Sequence, residues 1–117
     1  MSDRTIYLYT ILDLKAEAAI LPFAREKDAV AIRAFQLTLE NPNEAMSNNP
    51  QDYELYKIGS YDDETMHLTE MSPVRLITGR EAVKERKQDL DTIAALQAQI
   101  SELQGEVHSL TNGVDNA

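Results

Sequence analysis

The chain has 117 residues, with 11 lysines and arginines against 20 aspartates and glutamates, and it has no cysteine. This length fits one domain with an appendage, and the lack of cysteine excludes disulfide scaffolds, thiol nucleophiles and cysteine-ligated zinc sites. No apolar run approaches the ~20 residues that span a bilayer, and no leader-like segment opens the chain, so we expect a soluble cytosolic protein with no membrane contact.

The net charge of −9 is unevenly distributed. Residues 1–70 carry 13 acidic and 6 basic side chains, residues 71–87 carry 2 and 5, and residues 88–117 carry 5 acidic side chains and no lysine or arginine. The electrostatic field of a net negative chain repels nucleic acid, so the net charge argues against non-specific binding. A local anion contact is therefore expected only in the short basic segment.

The first 78 residues predict a small α+β domain with a mostly antiparallel sheet of about three or four strands and one packed helix. Residues 5–14 are β-branched and aromatic, which favours a strand central in a small sheet or covered on both faces. Residues 28–40 predict a helix with Asp28 as its N-cap and a wide apolar arc that shows little of itself to water. The remaining narrow polar stripe is formed by Arg33, Gln36 and Glu40.

Turn-forming residues divide the rest of this domain. Residues 16–23 are apolar and ambiguous, and residues 41–52 predict a polar loop. Further strands are expected at residues 53–60 and about 65–70, joined by a hairpin connection at 61–65, with a short extended edge piece at 74–77 after Pro73.

The last third predicts one long helix over residues 79–112, followed by a disordered tail over 113–117. Thr78 and Glu81 match a capping box, and Asn112-Gly113 supplies a stop signal. Within this helix a heptad seam has β-branched residues at every a position and leucine at every d position, a pattern that favours a parallel two-stranded coiled coil. The seam consists of Ile93, Leu96, Ile100, Leu103, Val107 and Leu110.

The alternative is that this helix folds back onto its own sheet. The apolar stripe is narrower than a sheet-covering helix usually needs, so we favour self-association as a parallel homodimer.

A basic cluster precedes the seam, with Arg80, Lys84 and Lys87 spaced to share one helix face and Arg75 and Arg86 flanking them. In a parallel dimer two such faces would adjoin, and phosphates could lie there. The alternative is an exposed helix surface with ordinary ion pairs. The five tyrosines fall on or beside predicted strands, where they either stack on single-stranded bases or lie half-buried in the sheet.

No enzyme constellation emerges from the sequence, and we expect a non-enzymatic protein without a cofactor. His67 and His108 are isolated from other metal-ligating residues. Asp62-Asp63-Glu64 lacks the alternating ligands and central glycine of a calcium loop, so it is better explained as a turn, and no metal site is predicted.

Three segments carry a family pattern that covers roughly residues 5–79. They are Pro22-Phe23, the helix start from Lys27 to Phe35, and the stretch from Asn49-Pro50 through Asp52 to Thr65, which includes Tyr-Glu-Leu-Tyr-Lys-Ile-Gly-Ser-Tyr-Asp. This pattern resembles the small nonstructural protein of microviruses, tailless single-stranded DNA phages, in their gokushovirus-like branch. The heptad helix lies outside the shared pattern.

The resemblance implies a phage-encoded accessory protein made in the cytoplasm of the infected bacterium, with a role in genome replication or in single-stranded DNA synthesis and packaging. DNA binding is proposed for the family, and no catalytic residue carries over. We therefore expect contact with single-stranded DNA, or with replication, packaging or capsid proteins, around the basic cluster. The alternative is an assembly protein that meets capsid or a host protein without touching nucleic acid, and association with the virion is left open.

Overall fold

The computed structural model describes the backbone of residues 4–115 and the side chains of residues 4–105. The chain divides into two compact units, Met1–Lys84 and Glu85–Ala117, which are described separately. The first unit holds an antiparallel sheet and a packed helix, so the fold is α+β.

The sheet is antiparallel, as predicted, and it has five strands instead of the expected three or four, because the ambiguous apolar stretch also forms strands. β1 (Thr5–Asp13) is its central strand, one of the two predicted alternatives. On one side β1 pairs with two short strands, β2 (Ala18–Ala19) and β3 (Phe23–Arg25), which resolve the ambiguous apolar stretch. On its other side it pairs along its whole length with β4 (Tyr53–Asp62).

The edge strand is β5 (Leu68–Thr78), which pairs with β4. It replaces two predicted pieces by a single strand, because the backbone passes through Pro73 at the sheet edge, where no ladder partner needs its missing N–H. The predicted hairpin connection shifts to residues 63–67, since β4 continues to Asp62. The Asp62 carboxylate accepts hydrogen bonds from the backbone N–H groups of Glu64 and Thr65 and closes the turn.

The hydrophobic core lies between one face of the sheet and α1 (Asp28–Glu40). The alternation along β1 turns Tyr9 and Ile11 towards the helix, where they meet Phe35. The fully or almost fully buried apolar residues are Tyr9, Ile11, Ala31, Phe35, Leu39, Leu55, Ile77 and Ala82. The core-supplying elements thus cover one face of the sheet. Of the two alternatives for β1, a strand central in a small sheet is the one that the structure shows.

Two expectations about α1 were wrong. The N-cap is Lys27, which makes no side-chain cap hydrogen bond, and Asp28 is the first helical residue, because its carboxylate is engaged by the sheet. The helix also exposes more apolar surface than predicted, since Val30 and Leu37 are nearly half exposed.

The polar stripe predicted for α1 is interrupted by Gln36, which is buried. Its Nε2 donates a 3.2 Å hydrogen bond to the carbonyl oxygen of Ala82, the buried residue in the first turn of α2. Gln36 therefore joins the two helices at the end of the core instead of facing water.

The second helix, α2 (Gly79–Asp115), begins where the capping pattern predicted. The Thr78 hydroxyl accepts a hydrogen bond from the backbone N–H of Glu81 at 3.2 Å, which is one half of the predicted box. The helix continues through Gly113, beyond its predicted end, so residues 113–115 of the predicted tail are helical. Residues 116–117 lie outside the described part of the chain.

Candidate functional site

Irregularities in the pairing of β1, β4 and β5 determine which side chains share the sheet face opposite α1. Between Leu8 and Tyr9 of β1 the register of β4 skips Ile58, and between Leu55 and Tyr56 of β4 the register of β5 skips Leu76. An extra residue in one strand reverses the alternation beyond it. Residues separated by odd numbers of positions can therefore reach the same face.

The bulge at Ile58 brings Tyr56 and Tyr61 to one face. Tyr56 is paired with Thr10 and Tyr61 with Ile6. Both partners lie on the face of β1 that points away from the core, because Tyr9 on the same strand points into the core. The bulge at Leu76 does the same for Arg75, which pairs with Tyr56 although Ile77, two residues later, is buried in the core. We call the set Tyr56, Tyr61 and Arg75 the outer-face cluster.

Arg75 and Tyr56 share one carboxylate on this face. The Tyr56 hydroxyl donates to Glu54 Oε1 at 3.0 Å, and the Arg75 guanidinium donates to Glu54 Oε2 at 3.1 Å. The Glu54 side chain is 12% exposed, whereas the Arg75 side chain is 56% exposed. Partial burial, followed by the bond to Glu54, raises the pKa of Tyr56. The carboxylate thus holds both side chains, and one bond to it leaves other guanidinium N–H donors of a side chain that is more than half exposed.

Among residues 4–84, the elements that supply the core all cover the other face. Phe35 of α1 and Ala82 of α2 are buried with the core-facing strand residues, and Met46, from the 3-10 turn Ala45–Asn48, packs against the same cluster. The outer-face cluster lies outside this core. Tyr56 and Tyr61 are half-buried there, and their neighbours on the same face, Thr10 and Glu54, are 8% and 9% exposed.

A second polar network lies at the start of α1. The Tyr9 hydroxyl donates to Asp28 Oδ1 at 2.7 Å, and Lys57 Nζ lies 3.1 Å from the same oxygen. The ammonium group also lies 3.9 Å from the centre of the Tyr7 ring, a cation–π contact. The bond from Tyr9, together with Lys57, holds the pKa of Asp28 below its ordinary value although burial opposes this. Burial and Asp28 raise the pKa of Tyr9.

The predicted basic residues are not equivalent in the structure. Arg75 lies on β5 and is paired with Glu54, whereas Arg80 and Lys84 are exposed on the first two turns of α2. Arg80 lines a small cavity of about 150 Å³ with Pro50, Gln51 and Val83. In the second unit Arg86 is half-buried and Lys87 is exposed.

The predicted seam residues in the second unit that the structure describes are exposed. Ile93, Leu96, Ile100 and Leu103 leave 46%, 53%, 54% and 61% of their surface accessible. The side chains of Val107 and Leu110 lie outside the described residues. Four apolar side chains spaced along one stripe of the helix are thus exposed, and coiled-coil pairing stays a prediction.

Sequence reasoning missed the outer-face cluster as a unit. It singled out Arg75 and the tyrosines separately, but strict alternation puts Tyr56 and Tyr61 on opposite faces and Arg75 with Ile77. The Tyr9–Asp28–Lys57 network was also missed, because its members are distant in sequence. The one available signal was an acidic residue at a helix start, which equally fits a cap.

Most of the chain matches a known protein family. Residues 6–82 match a family described as Phage ORF5 protein, which is 77 of the 117 residues. The chain belongs to this family, and it is therefore a phage protein, consistent with the predicted resemblance to a phage nonstructural protein. Comparisons with curated proteins and with solved structures gave no match.

Two further properties concern the described residues alone. In this part of the chain no helix combines the length and apolar character needed to cross a membrane. No group of three or more histidine, aspartate or glutamate side chains among the described residues could hold a metal ion.

Proposed function

We propose that this protein is a non-enzymatic accessory protein of a microvirus of the gokushovirus-like branch, acting in the cytoplasm of the infected bacterium. It would self-associate through α2 and contact single-stranded DNA, or the proteins that replicate and package it. Membership of a phage family supports action in an infected bacterium. The sequence resemblance supports the gokushovirus-like branch and a role in genome replication or packaging.

Self-association is carried by one observation, the exposed seam of Ile93, Leu96, Ile100 and Leu103. A single helix with a narrow apolar stripe cannot bury that stripe in water and gains little stability from it. Two copies bury their stripes against each other by knobs-into-holes packing. The β-branched a positions and leucine d positions favour two parallel strands. In that arrangement the basic residues Arg80 to Lys87 of both copies lie at the same end of the coil.

Light scattering of the full chain tests the self-association. We expect the mass of a dimer, and the double variant Leu96→Asp with Leu103→Asp should return the mass of a monomer, because charged residues cannot fill d layers. The double variant Ala95→Asp with Ala98→Asp is the matched control, since both positions lie away from the seam, are exposed and add the same charge. A monomeric full chain at high concentration contradicts the proposal.

The nucleic-acid contact is supported by the exposed basic side chains Arg80, Lys84 and Lys87 on α2. Gel-shift titration with an oligo-dT strand at two salt concentrations tests it. The pair Arg80→Glu and Lys84→Glu should weaken binding and reduce its salt dependence. The pair Lys27→Glu and Arg33→Glu changes the net charge equally and should act far less. No shift of the unmodified protein at low salt contradicts this part.

A second candidate function is assembly without nucleic acid. It is favoured by the acidic character of residues 1–70, which carry 13 acidic against 6 basic side chains and suit a basic surface on a capsid or host protein. Copurification with virions, in the absence of any gel shift with single-stranded DNA, would support this candidate instead.

A further inference from the structure

We propose that the outer sheet face is a base-stacking surface for single-stranded nucleic acid, in which Tyr56 and Tyr61 each stack on a base and Arg75 contacts the backbone phosphate beside Tyr56. This inference rests on the proposed function and deepens it, because it names a second contact surface away from α2.

The first argument is the placement of the rings. Both tyrosines reach this face only because of the bulge at Ile58, and the core-supplying elements of residues 4–84 cover the opposite face. Their partners on β1, Thr10 and Ile6, are four residues apart, which corresponds to about 13 Å, so each ring would receive its own base. Bases inside a duplex are already stacked and paired, whereas the unstacked bases of a single strand are available to aromatic side chains.

The second argument is the preorganised guanidinium. Glu54 accepts from Arg75 at 3.1 Å and from Tyr56 at 3.0 Å, so one carboxylate joins the guanidinium to the phenol hydroxyl. A guanidinium has five donor N–H groups, and one bond to a carboxylate leaves others for a phosphate oxygen. An arginine beside an aromatic ring thus recognises the two repeating parts of a nucleotide, base and phosphate.

The charge of this face predicts how the contact behaves. Glu54 neutralises Arg75, and Glu70 on β5 pairs with Gly59 of β4 on the same face, so the face offers no strong positive field. Binding here would depend on stacking, which salt screens little, in contrast to the basic residues of α2. The two surfaces are therefore distinguishable by their salt dependence.

Fluorescence anisotropy with a labelled oligo-dT strand and the full chain tests the inference. Tyr56→Ala should weaken binding about tenfold at both low and moderate salt, whereas Tyr56→Phe keeps the ring and should bind like the unmodified protein. Arg75→Ala should weaken binding with a small change in the salt slope. Urea unfolding of each variant identifies any that has lost its fold.

Ultraviolet crosslinking of the unmodified protein to oligo-dT gives a second, mutation-free measurement. We expect crosslinks at Tyr56 and Tyr61, and none at the buried Tyr9. If the protein binds DNA but crosslinks avoid both residues and folded Tyr56→Ala binds normally, the inference is wrong while the proposed function stands. If the unmodified protein binds no single-stranded DNA, the nucleic-acid part of the proposed function and this inference both fail. A change in oligomeric mass with folded Tyr56→Ala would instead show that a second copy covers this face.

Discussion

The Tyr9 hydroxyl donates a 2.7 Å hydrogen bond to Asp28 Oδ1, which ties the central strand of the sheet to the first residue of α1. Tyr9 is completely buried, so its hydroxyl could not otherwise reach water. The carboxylate that could have capped the helix thereby satisfies a buried donor from the core, and Lys57 balances its charge.

Replacing Tyr9 by phenylalanine keeps the buried ring and removes this hydrogen bond. We expect the free energy of unfolding to fall by about 1.5–3 kcal/mol, the usual range for a hydrogen bond to a charged acceptor. Urea unfolding followed by circular dichroism, at one fixed protein concentration, measures it. Tyr56→Phe is the control, and its loss should be smaller because Arg75 still pairs with Glu54. Equal stability of Tyr9→Phe and the unmodified protein would contradict the assigned role.

The lowered pKa of Asp28 predicts a stability change in acid. Because the hydrogen bond from Tyr9 holds the folded-state pKa below the ordinary value of 3.8, the ionised carboxylate stabilises the fold above pH 3.8. That contribution is lost as the pH falls below 3.8 through the lower folded-state value. Since the side chain is 44% exposed, we expect no more than about 1 kcal/mol.

Asp28→Asn isolates this effect from the other carboxylates. The difference in unfolding free energy between the unmodified protein and Asp28→Asn should be present at pH 6 and should shrink as the pH falls below 3.8. A difference that stays constant across this range would show that the Asp28 charge does not stabilise the fold.

Gly79 is required by a close approach of two backbone segments. A Cβ atom at this position would overlap the carbonyl oxygen of Pro50 and lie 3.1 Å from that of Tyr53, so Gly79→Ala must displace the start of α2. We expect a loss of several kcal/mol, or failure to fold. Gly105 within α2 is the matched control, because nothing lies within 4 Å of its Cβ position.

Gly105→Ala should raise helicity, since glycine costs a helix interior up to about 1 kcal/mol relative to alanine. Circular dichroism and thermal unfolding compare the two variants. Similar stability of Gly79→Ala and the unmodified protein would mean that the start of α2 does not lie against Pro50.

The buried amide of Gln36 predicts a further effect on stability. Gln36→Glu places a carboxylate against the Ala82 carbonyl oxygen without a donor, and we expect a loss of about 2–3 kcal/mol at neutral pH. Gln36→Met keeps the shape and should cost about 1 kcal/mol. Urea unfolding at pH 7 ranks the variants, and a Glu variant as stable as the Met variant would show that this site is open to water.

Local patterns were enough to predict several elements. β-Branched and aromatic residues indicated the strand β1, the apolar arc indicated α1, and Thr78 with Glu81 located the start of α2. Each of these signals is confined to neighbouring residues, so no knowledge of the fold was needed. The end of α2 was misplaced because Asn112-Gly113 weakens a helix without being able to terminate it.

The amino-acid sequence by itself determined the α+β class, the family pattern and the apolar seam of α2, because periodicity and propensity are properties of adjacent residues. Only the tertiary structure decided the face on which Tyr56, Tyr61 and Arg75 lie and the partner of Asp28. The physical reason is that a bulge arises from the pairing of two strands. One residue skipped in the register moves every later side chain of that strand to the opposite face of the sheet. The sequence of either strand alone does not show where this happens.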